Sequence, residues 1–398
     1  MAEQSSCPNC RRGPMDVFYE VAQAPTNSVL LLGTRQEALA FPRGEIALGH
    51  CAHCGFIGNT AFDPALTQYS ARYEATQGYS PTFSAFHRRL AEDLIAQYDL
   101  HGKAIIEIGC DKGDFLTMLC ELGDNRGVGF DPAYVPGRHT SSADLTFIAD
   151  FYSEQYAAYR ADFICCKMTL EHIPDTADFV GLVRRVIGDR PGPAGAPPIV
   201  FFQVPNAAYV FGDLAFWDVY YEHCSYFSLG ALARLFRQEG FEVLDLWSAY
   251  EDQYLMIAAR PGESAAGPTP PLPQEDDLAA IAQAVTHFTT HCPPLRAQWR
   301  AEIERLHSQG QRIVLWGGGS KGVSFLTTLG LTEQIEYVVD INPHKAGTFM
   351  AGTGQEIVLP TFLTGYRPDV VIVMNPIYRD EIQRSLQALG LSPDLRTV

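Results

Sequence analysis

Apolar and polar positions alternate along the chain with two periods that predict strands and helices in turn. An amphipathic helix is predicted over about residues 82–98, and it leads into an apolar strand at 104–108. The alternation continues with a strand at 126–131, a strand at 161–166, a helix at 176–188 and a strand at 199–202. Strands that alternate with helices are typical of a doubly wound parallel sheet. The pattern therefore predicts an α/β fold with a Rossmann-like core.

The remainder of the chain divides at a segment rich in proline and glycine. Before it, a helix at 229–239 and strands at 242–247 and 254–259 continue the first sheet. After it, a long helix extends to about 309, and a second α/β pattern begins at Ile313. We therefore predict a small N-terminal domain at 1–66, a main α/β domain at 67–260, a linker at 261–275 and a C-terminal Rossmann-like domain at 276–398.

Charge and hydropathy exclude several classes of partner. The 398 residues carry a formal net charge of -17, and their mean hydropathy is -0.05. Because no run of lysine and arginine offers a basic groove, we expect no nucleic-acid partner. No apolar run is long enough to span a membrane and no signal peptide is visible, so we expect a cytoplasmic protein. A monomer or homodimer that acts on a small-molecule acceptor fits this composition.

Two Cys-x-x-Cys motifs lie in the N-terminal domain. Cys7 and Cys10 form the first pair, and Cys51 and Cys54 form the second. Four thiolates on two tight turns suit a closed tetrahedral site, so we predict a structural zinc ion, Zn²⁺. Few apolar residues, including the strand-like run Val29–Leu32, are available to build a core here, and a metal commonly stabilises such a domain. His50 and His53 are alternative ligands, and a redox dithiol is the alternative to a metal.

Glycines and acidic residues shape the turn after the strand at 104–108. The turn has the form Glu107-x-Gly109-x-Asp111-x-Gly113, in which glycine allows a close approach of the backbone to a ligand and a positive φ. A dinucleotide fingerprint would have glycine at position 111. The motif therefore favours S-adenosylmethionine over NAD as the cofactor.

Three further residues at strand ends extend the predicted cofactor site. Asp131 ends the second strand, where a carboxylate can accept the ribose hydroxyls, and Asp150 is placed where a third strand would end, near the adenine. Lys167 follows the strand at 161–166 and is also counted as a cofactor-binding residue. The alternative is a plain glycine turn in which Asp131 caps a helix.

An aromatic segment after the strand at 199–202 carries candidate catalytic groups. Tyr220, Glu222 and His223 should lie on a loop above the carboxyl edge of the sheet, where ligands bind in open α/β folds. A carboxylate beside His223 could hold its pKa near 7 and make it a general base, and Tyr220 could donate to an oxyanion. His172 should reach the same edge. Aromatic core packing with incidental histidines is the alternative.

The segment Tyr220-Tyr221-Glu222-His223-x-x-Tyr226-Phe227-Ser228 resembles the signature of the NDP-sugar C-methyltransferases of antibiotic deoxysugar pathways. The resemblance covers nearly the whole chain. It implies zinc at the cysteine pairs, a class I methyltransferase core that binds S-adenosylmethionine, and a C-terminal Rossmann-like domain. It also implies methylation of carbon 3 of a 4-keto sugar nucleotide.

The same resemblance assigns roles to individual residues. His223 matches the base that removes the C3 proton, with Tyr220 and Glu222 beside it. His172 matches a histidine that stabilises the enolate, and Tyr79 matches a tyrosine on the substrate side. The segments at 317–322 and 340–347 are similar to those that line the nucleotide-sugar cleft.

Three other functions fit parts of the sequence. An O- or N-methyltransferase acting on another small metabolite would use the same cofactor loop and the same histidine. A zinc-bearing binding protein would use the sheet without catalysis. An NAD-dependent oxidoreductase would use the loop at Gly317–Gly319, which we expect to lack the final glycine and the acidic partner of a dinucleotide fingerprint.

Overall fold

The protein is described by a computed structural model that covers residues 6–67, 70, 72–138, 140–262 and 269–398. Residues 1–5 of the predicted N-terminal domain and 263–268 of the predicted linker lie outside the described residues. None of the helices in the described part of the chain is long and apolar enough to cross a membrane.

Sixteen strands and ten helices follow one another along the described residues. The strands are β1 (Asp16–Pro25), β2 (Arg43–His50), β3 (Ile57–Asn59), β4 (Ala104–Ile108), β5 (Arg126–Phe130), β6 (Asp144–Ile148), β7 (Phe163–Lys167), β8 (Ile199–Pro205), β9 (Ser225–Tyr226), β10 (Phe241–Ala249), β11 (Tyr254–Pro261), β12 (Ile313–Trp316), β13 (Tyr337–Val339), β14 (Glu356–Val358), β15 (Val370–Val373) and β16 (Asp394–Thr397). The helices are α1 (Arg35–Leu39), α2 (Pro81–Tyr98), α3 (Asp114–Gly123), α4 (Thr176–Ile187), α5 (Ala207–Gly212), α6 (Leu229–Gln238), α7 (Leu278–Ser308), α8 (Ser320–Leu329), α9 (Leu363–Tyr366) and α10 (Arg379–Ala388).

The central sheet has seven strands in the order β10-β11-β8-β7-β4-β5-β6. Strands β4 to β8 are parallel, and β11 is antiparallel to both β8 and β10. Because successive side chains of a strand point to opposite faces, Ile105 packs with the core on the α2 and α3 side, while Ile106 packs with the core on the α4 and α6 side. This arrangement confirms the predicted doubly wound α/β core.

The C-terminal sheet has five parallel strands in the order β14-β13-β12-β15-β16. The strand order reverses between β12 and β15, so a ligand-binding crevice is expected above the carboxyl ends of these two strands. Helix α7 leads into this domain, and its Phe288 packs edge-on against Phe18 of β1 and Phe211 of α5. One core is therefore shared by the N-terminal sheet, the loop after β8 and the C-terminal sheet.

The N-terminal sheet is antiparallel and has the order β1-β2-β3-β9. Its last strand comes from the segment that contains the candidate base, since Tyr226 pairs with Ile57 and Ser225 with Gly58. The run Val29–Leu32, which looked strand-like, is not a strand in this sheet. It forms an isolated bridge from Leu30 to Tyr73, because the Leu31 N–H donates to the Arg72 carbonyl and the Glu74 N–H donates to the Val29 carbonyl.

Candidate active site

The four cysteines of the paired motifs form a buried cluster. The Sγ atoms of Cys7 and Cys54 are 3.7 Å apart, and those of Cys10 and Cys51 are 3.8 Å apart. All four sulfurs lie within 4.8 Å of one another, without a histidine in the group. Sulfurs bonded to zinc at about 2.3 Å in a tetrahedron lie roughly 3.8 Å apart, so the donor set fits a structural zinc ion.

The glycine turn after β4 has a backbone that other residues could not adopt without strain. Gly109 has φ +72°, and a Cβ atom there would lie 2.0 Å from Thr169 Oγ1. Gly113 has φ +90°, and its Cβ would lie 2.5 Å from the ring of Phe147. The N–H of Gly109 donates to the Phe130 carbonyl at 2.8 Å, which ties the turn to the end of β5. Both glycines are therefore needed for the shape of the loop.

The acidic residues of this loop are close together. Oδ2 of Asp131 accepts from the Asp111 N–H at 2.9 Å, and Oδ1 accepts from the Ala133 N–H at 2.7 Å. Oδ1 of Asp111 is buried and lies 3.4 Å from Nζ of Lys112, and burial raises the pKa of this carboxyl to about 7. A ligand with amino and hydroxyl donors would satisfy these oxygens, as S-adenosylmethionine would.

The three other predicted cofactor residues differ in how deeply they are buried. Asp150 is half-buried and accepts from the Tyr156 hydroxyl at 2.6 Å, a hydrogen bond that lowers its pKa. Glu107 is buried below the loop, where its Oε2 accepts from the Leu116 N–H of α3 at 3.0 Å. Lys167 is also buried, and burial lowers its pKa to about 8 despite the nearby Glu107. Glu107 therefore supports the start of α3 below the loop, whereas Nζ of Lys167 lies 3.1 Å from Nε2 of His87 on α2.

A cavity of about 300 Å³ lies between the central sheet and the C-terminal domain. The segment before α2 closes one side of it, and Ser80 Oγ of this segment donates to Glu381 of α10 at 2.8 Å. Tyr79, His172, Tyr220 and His223 all line the cavity. The structure thus brings four of the five predicted catalytic residues to one space.

His223 is the centre of this group. Its Nε2 lies 3.0 Å from the Tyr220 hydroxyl, and its ring is perpendicular to that of His172 at a centroid distance of 4.8 Å. Burial holds the pKa of His223 well below its usual value, and His172 and Lys321 lower it further. The pKa of His223 is therefore lower than the expected value near 7, because the ring is buried and the Lys321 ammonium lies near it. At neutral pH, His223 is an uncharged imidazole.

Glu222 has a different environment from the one its sequence neighbourhood suggested. Its Oε1 accepts from both the backbone N–H and the hydroxyl of Ser28, each at 2.6 Å, and the Ser28 hydroxyl lies 2.7 Å from Ser320 Oγ. Glu222 therefore connects the N-terminal segment to α8. Burial raises its pKa to about 7.

The carboxylate that faces His223 belongs to Glu171. Oε1 of Glu171 lies 3.9 Å from His223 Nε2, and the side chain is completely buried against the cavity. Sequence reasoning did not select it, although it precedes His172 in the same turn. A glutamate at the carboxyl end of a buried parallel strand was the available signal.

The opposite wall of the cavity has the geometry of a nucleotide-binding loop. Gly317, Gly319 and Gly322 follow β12 with dinucleotide-fingerprint spacing, and a Cβ on Gly322 would lie 2.4 Å from the Gly317 carbonyl. Asp340, at the end of β13, accepts from the Gly318 N–H at 3.0 Å. The expectation that this loop lacks a final glycine and an acidic partner is wrong, since Gly322 and Asp340 supply them.

Two lysines in this wall offer positive charge, and both are paired within the protein. Nζ of Lys345 lies 3.2 Å from Asp340 and donates to the Gly318 carbonyl. Nζ of Lys321 lies 2.6 Å from Asp218, on the loop that carries the candidate base. The Lys345 ammonium neutralises the Asp340 carboxylate, the group that would bind the ribose of a dinucleotide.

Several known proteins are similar to this chain. Solved structures similar to the chain include the Burkholderia thailandensis 1,6-didemethyltoxoflavin-N1-methyltransferase, at 15% identity and a TM-score of 0.34, covering 47% of this chain and 84% of that one. The magnesium protoporphyrin IX methyltransferase of Synechocystis PCC 6803 matches at 13% identity and a TM-score of 0.33, covering 46% and 84%. A family model described as a methyltransferase domain matches residues 83–246. Together with the cofactor loop, this match defines an S-adenosylmethionine-dependent methyltransferase.

A second family model, described as the C-methyltransferase C-terminal domain, matches residues 272–391. The chain is also 27% identical over 310 residues to the C-methyltransferase NovU of Streptomyces niveus, an alignment that covers 74% of this chain and 72% of that protein. The two family models and this relative support the C-methyltransferase family that the aromatic signature indicated.

Proposed function

We propose that this enzyme methylates the carbon next to the keto group of a nucleotide sugar, with His223 as the general base. The observation that supports the proposal is the contact between His223 Nε2 and the Tyr220 hydroxyl inside the cavity. This cavity lies between a methyltransferase core and a nucleotide-type loop. The name of the relative NovU supports carbon as the accepting atom.

Carbon becomes a nucleophile only when a proton next to a carbonyl group is removed. A neutral imidazole can accept that proton, and burial keeps His223 neutral. Burial also raises the pKa of Tyr220 well above its usual value, so its hydroxyl keeps its proton and can donate to the developing oxyanion. His172, whose pKa burial lowers to about 4, is a second neutral group beside this position. S-adenosylmethionine supplies the electrophilic methyl group.

The nucleotide portion of the acceptor would bind the C-terminal wall. The backbone of Gly317–Gly319 can approach phosphates closely, and α8 begins at the next residue. Lys321 is partly exposed to the cavity and can exchange its contact with Asp218 for a phosphate contact. We also propose that the four-cysteine cluster holds a structural zinc ion. A place in antibiotic biosynthesis follows from the same assignment.

The test uses a thymidine-diphosphate 4-keto-6-deoxysugar as the acceptor. We expect the enzyme to transfer a methyl group to carbon 3, and with a ¹³C-methyl donor the NMR spectrum of the product should show the labelled carbon bonded directly to carbon 3. His223→Ala should abolish transfer while S-adenosylhomocysteine still binds, as measured by calorimetry. A labelled methyl group bonded to oxygen would instead indicate O-methylation. An active His223→Ala variant would show that another group is the base.

A further inference from the structure

Glu171 is a buried acid to which the proposed chemistry gives no role. Its side chain is fully enclosed, and neither carboxylate oxygen accepts a hydrogen bond from another residue in the described ranges. Burying a carboxylate without partners is costly, and proteins rarely retain one without compensation. Glu171 nevertheless lines the acceptor cavity beside the candidate base. Glu171 therefore lies where its carboxylate could face a positive charge that develops on a neighbouring group during the reaction.

We infer that Glu171 is the counter-ion of His223, facing the imidazolium that forms when His223 takes a proton from the acceptor. The inference rests on the proposed function, because it requires His223 to act as the base. It is carried by the 3.9 Å separation between Glu171 Oε1 and His223 Nε2, on the ring edge that also contacts the Tyr220 hydroxyl. Glu171 is a positioning residue, since it acts through His223.

The proton and the electrons balance in this step. The C–H bond next to the carbonyl breaks, its proton goes to the imidazole, and its electron pair moves into the enolate. The imidazole becomes a cation and the enolate becomes an anion. The Glu171 carboxylate then stabilises the cation, and the Tyr220 hydroxyl donates to the anion.

The other charged groups around His223 do not fill this role. His172, from the same turn as Glu171, and Lys321, from α8, both disfavour a cation at His223. Asp218 is paired with Lys321 at 2.6 Å. Glu222 accepts two hydrogen bonds from Ser28 on the N-terminal segment. Tyr220 and Tyr226 are both held in the neutral form by burial. Among the residues described, Glu171 therefore provides the carboxylate within 4.0 Å of a His223 ring nitrogen.

The pair is expected to titrate as a unit. Burial raises the pKa of Glu171 to about 8 and lowers that of His223, so the one proton that the pair holds at neutral pH lies on Glu171, which must lose it before it can act as the counter-ion. The fall of kcat/KM on the acid side of its pH profile should therefore report the pKa of this pair. Glu171→Gln removes the carboxylate partner of His223. The acid limb of the kcat/KM profile then moves to lower pH, and His223 becomes a weaker base.

The experiment follows the His223 ring by NMR in the full-length enzyme bound to S-adenosylhomocysteine. The enzyme carries ¹³C,¹⁵N-labelled histidine, and the His223 signals are assigned by their loss in His223→Ala. We expect the wild-type ring to report the ionisation of Glu171, whose pKa burial raises to about 8, and Glu171→Gln to remove that titration. The pH dependence of methyl transfer is measured on the same proteins. Glu171→Gln should move the acid limb down by at least one pH unit and lower the plateau at least tenfold, whereas Glu171→Asp should restore part of both.

Glu222→Gln is the matched comparison, because it removes the same charge from an adjacent buried glutamate that already has partners. If it shifts the His223 titration as much as Glu171→Gln does, the inference is overturned in favour of Glu222. The inference would also be overturned if Glu171→Gln kept the wild-type acid limb and the wild-type rate of methyl transfer. A second metal equivalent in the wild-type enzyme that Glu171→Gln loses would make Glu171 a metal ligand instead. Normal activity in His223→Ala would defeat the proposed function itself, which separates the two failures. Calorimetry with S-adenosylhomocysteine verifies that each variant folds.

Discussion

The cofactor loop gives the sharpest test of the structure, through Gly109→Ala. The substitution adds one carbon at a position where φ is +72° and where Thr169 Oγ1 would lie 2.0 Å from the new atom. A left-handed conformation costs an alanine about 1–2 kcal/mol. Overpacking a filled space costs about 1–3 kcal/mol more. The native loop is therefore disfavoured by about 2–5 kcal/mol in the variant, by the sum of these two terms.

This penalty should appear in cofactor affinity, because the ligand requires the native shape of the loop. Since about 1.4 kcal/mol corresponds to a factor of ten, S-adenosylhomocysteine should bind at least about 30-fold more weakly. Isothermal calorimetry measures the affinity, and the unfolding temperature is recorded in parallel. Gly102→Ala is the matched control, since Gly102 has φ +63° but no atom within 4 Å of its added Cβ. It should lose stability but keep the affinity.

A double variant separates the two causes. Thr169→Ala removes the two closest atoms and should restore most of the steric part of the loss in the Gly109→Ala background, leaving the backbone strain and a contact of 2.9 Å with the Cβ of residue 169. Thr169→Ala alone should cost about 1 kcal/mol, because its hydroxyl donates to the Lys167 carbonyl. The reasoning is refuted if Gly109→Ala binds S-adenosylhomocysteine within threefold of the wild type, or if Thr169→Ala gives no recovery.

Two further predictions concern the N-terminal cysteine cluster and Glu222, which binds Ser28 of the N-terminal segment. We expect one zinc ion per chain by elemental mass spectrometry; Cys51→Ser should lose it and lower the unfolding temperature, whereas Cys292→Ser, at another buried cysteine, should keep it. Retained zinc in Cys51→Ser would contradict the four-sulfur site. Burial raises the pKa of Glu222 from 4.5 to about 7, so the folded state binds more protons in this window and loses stability as pH rises through it. The stability of Glu222→Gln relative to wild type should therefore increase from pH 5 to 8 by up to about 3 kcal/mol, and a constant difference would contradict this assignment.

Local sequence determined the elements of the fold and several of its sites. Apolar runs with strand or helix periods placed α2, β4 and the start of β12 within a residue or two, because these segments bury one face or both. The spacing of Cys7, Cys10, Cys51 and Cys54 indicated one cluster, since two tight turns can present four thiolates to one point. The aromatic signature around His223 indicated the family that the comparisons support.

Tertiary structure decided which groups face one another, because side-chain partners depend on distant segments of the chain. Glu222 is next to His223 in sequence, but its carboxylate binds Ser28, almost two hundred residues away, and Glu171 faces the imidazole instead. The run at Val29–Leu32 has strand propensity, yet it packs against the segment at 72–74 without joining a sheet. The pKa of His223 likewise depends on burial by three parts of the fold. The sequence could supply the chemical groups, whereas the packing of those parts determines their charges and contacts.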